Sequence, residues 1–335
     1  MKSIFRFLAI ACAGFFLVFL TNCAQTQTTG DASKSSPAAD STPTATTTTD
    51  ASGKNKININ SAILSELDKF ESKLGVPALS NKIQASRPYS KPEELVSKKV
   101  ITQEQFDQIK DQVTIEDVVL TGEAKDVDYM VKLGLMKGHM LVAKELLNLK
   151  KPEQAEPHIG HPVEEIYADV ADQLEERKVP EFKKQLINLQ DLLKSKPNDP
   201  QLITQFEASM KSIDQAIAAL PETQRQSPNF ALQVINGLLD TANSEYGAAI
   251  ANGKISAAIE YQDSRGFVIY ADTLKNAIAE QLTKQNAEAQ KEINATMTEL
   301  KTAWPSPIPP AAPILPTDKV TELIKSIEKD AQKVT

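Results

Sequence analysis

Leu135-Met136-Lys137-Gly138-His139-Met140-Leu141-Val142-Ala143-Lys144-Glu145-Leu146 sets Leu135, His139, Val142 and Leu146 at helical spacing on one face. The stretch reads as a helix whose apolar stripe turns a histidine inward. Working outward, the same period predicts helices over roughly 124–149, 162–195 with an interruption at Pro180, 200–219, 229–251, 255–302 and 318–332. Pro157, Pro162, Pro197, Pro200, Pro221 and Pro228 fall between these segments or at their starts. There the ring is tolerated and the preceding residue is pushed out of the helical region. The expectation is an all-α chain: a small module over 56–115, then an up-and-down helical bundle over 116–335. The Pro-rich stretch 304–317 leads to the last helix. It reads either as an extended strap laid across the bundle and anchored by Trp304, or as a plain spacer.

The N-terminus points outside the cytoplasm. Lys2 and Arg6 precede the apolar run Phe7–Leu20, which is too short and too weakly flanked for a transmembrane helix and reads as a signal peptide. It ends in Leu20-Thr21-Asn22-Cys23-Ala24, which resembles the lipobox of bacterial lipoproteins, although Asn22 stands where Gly, Ala or Ser is usual. The resemblance implies a lipidated Cys23 as the new N-terminus, and two or three acyl chains anchor a protein stably to a membrane. The address would be periplasmic or the outer face. Of two cysteines, Cys12 lies inside the signal, so the mature chain can form no internal disulfide. Residues 24–55 are Ser, Thr, Ala and Pro without periodicity, a flexible tether that cannot bury enough surface to order itself.

The net charge of −7 is carried by 116–335, while 54–115 is slightly basic. No strongly basic footprint marks a nucleic-acid interface.

Within 56–115, Ile57-Asn58-Ile59-Asn60-Ser61-Ala62, then Leu74-Gly75-Val76-Pro77-Ala78-Leu79, then Arg87-Pro88-Tyr89 and a closing apolar helix to Ile115 follow a recognisable order. The segment resembles the double helix-hairpin-helix module of ComEA, the DNA receptor of natural transformation (competence), and equally the related extrinsic subunit of cyanobacterial photosystem II. The resemblance implies either DNA binding or protein docking. DNA-binding hairpins need two glycines so that backbone N–H groups can reach a phosphate. Here the first hairpin keeps Gly75 but has Pro77 in the second place, and the second hairpin, Lys98-Lys99-Val100-Ile101-Thr102, has neither. Gly75, Lys82, Lys98 and Lys99 remain as candidate DNA contacts, expected to bind weakly and with steep salt dependence.

All three histidines fall within 139–161. His158 and His161 follow the helix that carries His139 and come within its reach if the next helix packs antiparallel. His139 and His161 have plainer explanations. His139 can be a hydrogen-bonded core residue, and with Pro162 at the first helical position His161 can be a cap that Glu164 closes as in a capping box. His161-Pro162-Val163-Glu164 also resembles the His-x-x-Glu motif of imelysin-like, iron-related helical proteins. A second group, Glu245 and then Glu260 with Asp263, flanks the turn Asn252-Gly253-Lys254, so Glu245 and Glu260 should face each other across a helical hairpin. Inward carboxylates must be protonated, ion-paired or metal-bound, and Arg265 and Lys254 are available as partners. If the groups converge, His139, His158, His161, Glu164, Glu245, Glu260 and Asp263 would line a pocket for iron, zinc, copper or manganese.

Gly-rich phosphate loops, mature cysteine ligands and a Ser-His-Asp set are missing, so a catalytic role is not expected. The reading is a lipid-anchored extracytoplasmic binding or scaffold protein with a metal site and a docking module. Alternatives are a DNA-uptake receptor and an accessory subunit of a photosynthetic membrane complex.

Overall fold

A computed structural model describes residues 56–116 and 119–334. The expected signal peptide, Cys23 and the tether to residue 55 lie outside the described residues.

The small module begins with strand β1 (Ile57–Asn58), which pairs parallel with β2 (Val113–Thr114) and brings its ends together. Between them run α1 (Leu64–Leu74), α2 (Leu79–Ala85), α3 (Glu94–Ser97) and α4 (Gln103–Ile109). Their core is Ile59, Leu67, Phe70, Leu79, Ile83, Leu95 and Ile109. The two quoted phrases meet in space. Asn60 Nδ2 donates to the Tyr89 carbonyl at 2.8 Å and accepts the Tyr89 N–H on Oδ1 at 2.7 Å. Arg87 Nε donates to the Ile59 carbonyl at 2.7 Å. Gly75 closes α1 at φ 62°, a conformation that favours glycine.

The larger part comprises α5 (Gly122–Asn148), α6 (Pro152–His161), α7 (Tyr167–Glu176), α8 (Lys183–Ser195), α9 (Gln201–Ile217), α10 (Glu222–Arg225), α11 (Pro228–Ala249), α12 (Ala258–Ala277), α13 (Ala279–Leu300) and α14 (Thr317–Ala331). Helices α11 to α14 each pack on the next, and α14 returns to α11, which closes a four-helix bundle. Helix α5 lies on the α11–α12 pair, and α6, α8 and α9 build up behind it. A two-stranded hairpin, β3 (Ile250–Ala251) with β4 (Lys254–Ile255), joins α11 to α12. Its turn residues Asn252 and Gly253 have φ of 53° and 70°, the left-handed geometry an Asn-Gly turn supplies.

Two regions differ from the sequence expectation, and the interruption expected at Pro180 is present. The connection between the first two helices is only residues 149–151 and not 150–161: α6 starts with Pro152, runs through Pro157, and passes through a π-helical turn at Pro162–Ile166 into α7. Pro162 cannot donate to the carbonyl four residues back and its ring crowds that carbonyl; a widened turn relieves both. The long segment expected over 255–302 is two helices that meet at Ile278, and Asn286 interrupts the second with non-helical φ and ψ of −155° and 94°. The Asn286 side chain caps the C-terminal part of α13, accepting the Ala289 N–H at 3.0 Å. The break near Pro180 spans Arg177 to Phe182.

Two features position the site. Gly138 on α5 and Gly266 on α12 meet back to back. A Cβ on Gly266 would lie 2.2 Å from the Gly138 carbonyl oxygen, and one on Gly138 would lie 2.5 Å from the Phe267 ring. That crossing lets His139, beside Gly138, reach Asp263, one turn before Gly266. The Pro-rich stretch lies across the bundle as a strap. Trp304 is buried against Tyr246 at 4.9 Å between ring centroids. The Tyr261 and Tyr246 hydroxyls donate to the Ser306 and Leu315 carbonyls at 3.1 and 2.7 Å.

Candidate metal centre

Asp263 is 3% exposed and gathers every histidine of the chain. His139 Nδ1 and His158 Nδ1 lie 2.6 and 2.7 Å from its Oδ1. His161 Nδ1 lies 3.2 Å from Oδ2. His158 and His161 stand three apart on the continuous α6, so both rings leave one face. His139 comes from α5 and Asp263 from α12. The potential ligand atoms of the four lie within 4.8 Å of one another, and among the described residues this is the one such group. An imidazole and carboxylate set of this kind could hold a transition-metal ion.

The partner of His158 makes the geometry more telling. Gln262 Nε2 donates to the Pro307 carbonyl of the strap at 3.0 Å and to Gln154 Oε1 at 3.2 Å. The amide orientation is thereby fixed, and Oε1 must accept from His158 Nε2–H, 2.9 Å away. Nδ1 of His158 therefore faces the Asp263 carboxylate with either a second proton or a cation between them. Holding one imidazole nitrogen by an outer hydrogen bond while the other faces a cation position is how metal-binding histidines are oriented.

Burial alone would push the Asp263 carboxyl up, but the three imidazoles outweigh it and hold it well below the usual carboxylate range. His139 goes down because its burial outweighs the attraction of Asp263. Burial opposes the charge on His161 as well, yet Asp263 and then Glu165 and Glu164 prevail and push it up to about 9.

The remaining expected residues separate. Glu245 and Glu260 both line a cleft of about 770 Å³ that His139, His161 and Asp263 also line, so they neighbour the cluster without joining it. Glu164 is exposed and accepts from Gln190 Nε2 at 3.3 Å. The capping-box explanation does not hold either: His161 is itself helical and caps nothing, because the helix continues through Pro162. The expected cation partners are elsewhere. Arg265 forms a two-pronged pair with Glu145 at 2.8 and 2.7 Å, and Lys254 is exposed and does not line the cleft.

Sequence reasoning missed Gln262, Glu165, Asp68 and Glu71. Glu165 stands four after His161, a spacing that could have flagged it. Asp68 and Glu71 lie on α1 of the small module, and only tertiary packing brings them to the cleft. The close approach of Gly247 on α11 to Ser72 on α1, where a Cβ would fall 2.0 Å from Ser72 Oγ, seats the module there.

The candidate DNA contacts are differently occupied. The Glu71 carboxylate accepts the Ala78 N–H at 2.7 Å and the Ser80 hydroxyl at 3.1 Å. A carboxylate thus sits at the first hairpin, where a phosphate would have to sit, and Gly75 lines the cleft. Lys82 Nζ donates to the Pro77 carbonyl at 3.4 Å. Lys98 Nζ donates to the Ser86 and Pro88 carbonyls at 3.0 and 2.5 Å and pairs with Glu94. Lys99 is exposed, at φ 59°.

Comparison with known protein families adds two matches. Residues 221–335 match the model of the iron permease-associated 4-helix bundle domain, and residues 52–114 match the helix-hairpin-helix motif. The first match covers α10 to α14 and hence Asp263; the three histidines come from the helices before it. No curated protein and no solved structure matches the chain. No helix among the described residues is long and apolar enough to cross a membrane.

Proposed function

We propose that this chain is a non-enzymatic metal-binding protein, held at the extracytoplasmic face of a membrane by lipid on Cys23, whose bundle binds a transition-metal ion, iron foremost, between His139, His158, His161 and Asp263. The observation that carries this reading is the convergence of all three histidines on one buried carboxylate with the His158 tautomer set from outside. The match to a bundle domain associated with iron permeases supports iron over zinc, copper or manganese. The helix-hairpin-helix module serves docking, in the first place onto its own bundle, because Glu71 takes the hairpin donors that a DNA phosphate would need.

Elemental mass spectrometry of the purified full chain after incubation with ferrous iron tests the site. About one equivalent is expected in the wild type and almost none in His158→Ala at unchanged helicity. Equal metal in both would overturn the proposal. Accumulation of the chain in the membrane fraction should be lost in Cys23→Ala; retention there would remove the lipid anchor.

A further inference from the structure

The wall of the cleft above the histidines has a composition that the metal cluster does not require. Asp68, Glu71, Glu165, Glu245, Glu260 and Asp263 line it together with His139 and His161, and among the described lining residues none is Lys or Arg. Nearby cations are turned away: Lys69 pairs with Asp240, and Lys82 with its own hairpin carbonyl. Glu245 is the decisive group. It is 4% exposed, lines the cleft, and among the described residues has neither a hydrogen-bond nor an ion-pair partner for its carboxylate. A buried carboxylate without a partner is costly, and here the cost is borne beside a converged set of metal-binding side chains. Asp68, 7% exposed, stands on the opposite wall, which belongs to the small module. These carboxylates do not draw together as the histidine cluster does, so they form an approach and not a second closed site.

We infer that the cleft is a cation-collecting vestibule, walled on one side by α1 of the helix-hairpin-helix module, that draws a free aquated divalent cation past Glu245 and Asp68 to the histidine cluster. The inference rests on the metal-binding reading above. An approaching cation favours the ionised form of the carboxylates around it, and like charges focused in a low-dielectric cleft raise the local concentration and the on-rate of the opposite charge, with an effect that salt removes. The volume of about 770 Å³ leaves room for the ion with its water shell. Buried acidic groups along the way exchange that shell for carboxylate oxygens before the imidazoles take over. The module is then a structural part of the metal path and not a separate nucleic-acid reader.

The test is stopped-flow uptake of cobalt(II) chloride by the full chain, read by the visible absorption of nitrogen- and oxygen-ligated cobalt, at low and raised sodium chloride. The wild type should take up one equivalent with a rate that falls as salt rises. The double variant Asp68→Asn with Glu245→Gln should take up the same equivalent with the same spectrum, about tenfold slower and with a flatter salt dependence. Glu260→Gln, at a half-buried position, should show a smaller slowing and covers the case in which the double variant does not fold. Unchanged rates and salt dependence at retained stoichiometry would overturn the vestibule and leave the metal site standing. Loss of the equivalent in a folded double variant would overturn it in favour of direct ligation. No cobalt uptake by the wild type would remove the metal reading itself.

Discussion

Asp263 and Glu245 sit on adjacent helices at nearly equal burial, 3% and 4% exposed, and their environments have opposite effects. Three imidazoles hold Asp263 ionised well below its ordinary range. Burial pushes Glu245 well up, and Asp68, Asp263 and Glu260 add to it. The floor of the cleft is thus a satisfied network and its wall an unsatisfied one. Burial does not decide the state of a carboxylate; the charges aimed at it do. Removing Asp263 should therefore have the largest effect of any single change. Asp263→Ala leaves three facing imidazoles without their acceptor, and breaking such a buried set costs about 3–5 kcal/mol. Urea unfolding of the metal-free protein measures the loss, and metal analysis should show no bound ion. An Asp263→Ala protein as stable as wild type would mean that the floor is not a network.

The contrast also depends on how close α5 comes to α12. Gly138→Ala places a methyl against Phe267 and the Gly266 backbone, so the helices must part and carry His139 away from Asp263. Overpacking of this kind costs about 1–3 kcal/mol. Metal affinity should fall while Glu245, on α11, keeps its surroundings. An unchanged melting temperature and unchanged affinity would show that the crossing has slack.

These residues mark how far the sequence could be read. Helical periodicity and proline placement made the all-α class legible, and the clustering of all histidines within 139–161 pointed to the floor. Periodicity reports which face of a helix is buried and not what it is buried against. Gly138 therefore gave no sign that its neighbour would be Gly266, and Asp68 and Glu71 gave no sign that they would face Glu245 from another module. Prolines misled in one place: Pro162 read as a helix start, although a π-helical turn carried the helix through it and kept His158 and His161 on one face. The break at Ile278 has no glycine or proline to announce it.

The wall can be relieved where the floor can only be damaged. Glu245→Gln keeps size and hydrogen-bonding capacity and removes the ionisable group whose burial is disfavoured. The metal-free protein should gain about 1–2 kcal/mol near neutral pH, read as a raised urea midpoint. A loss of stability would mean that the Glu245 carboxylate has a favourable partner.

The smallest expected effect is a slope with pH. Burial pushes Asp68 up to about 7, Glu71 and Glu260 adding and the Ser80 hydroxyl opposing, whereas the unfolded chain should have the ordinary value of about 4. Between these values the folded protein binds more protons than the unfolded one, so stability falls as pH rises. The contribution is fully present below the unfolded value and is lost through about pH 7; from about pH 6 to about pH 8 the loss is about 1 kcal/mol. His161, raised to about 9, tilts the wild type the same way, and His139, lowered, tilts it oppositely, so the wild-type slope alone is not diagnostic. The difference between wild type and Asp68→Asn isolates the wall. Urea midpoints of the metal-free proteins at the two pH values should converge towards the acid side and separate towards the alkaline side, with the variant the more stable there. Parallel midpoints at both would mean that Asp68 is solvated like any surface carboxylate, and α1 would then no longer count as a wall of the cleft.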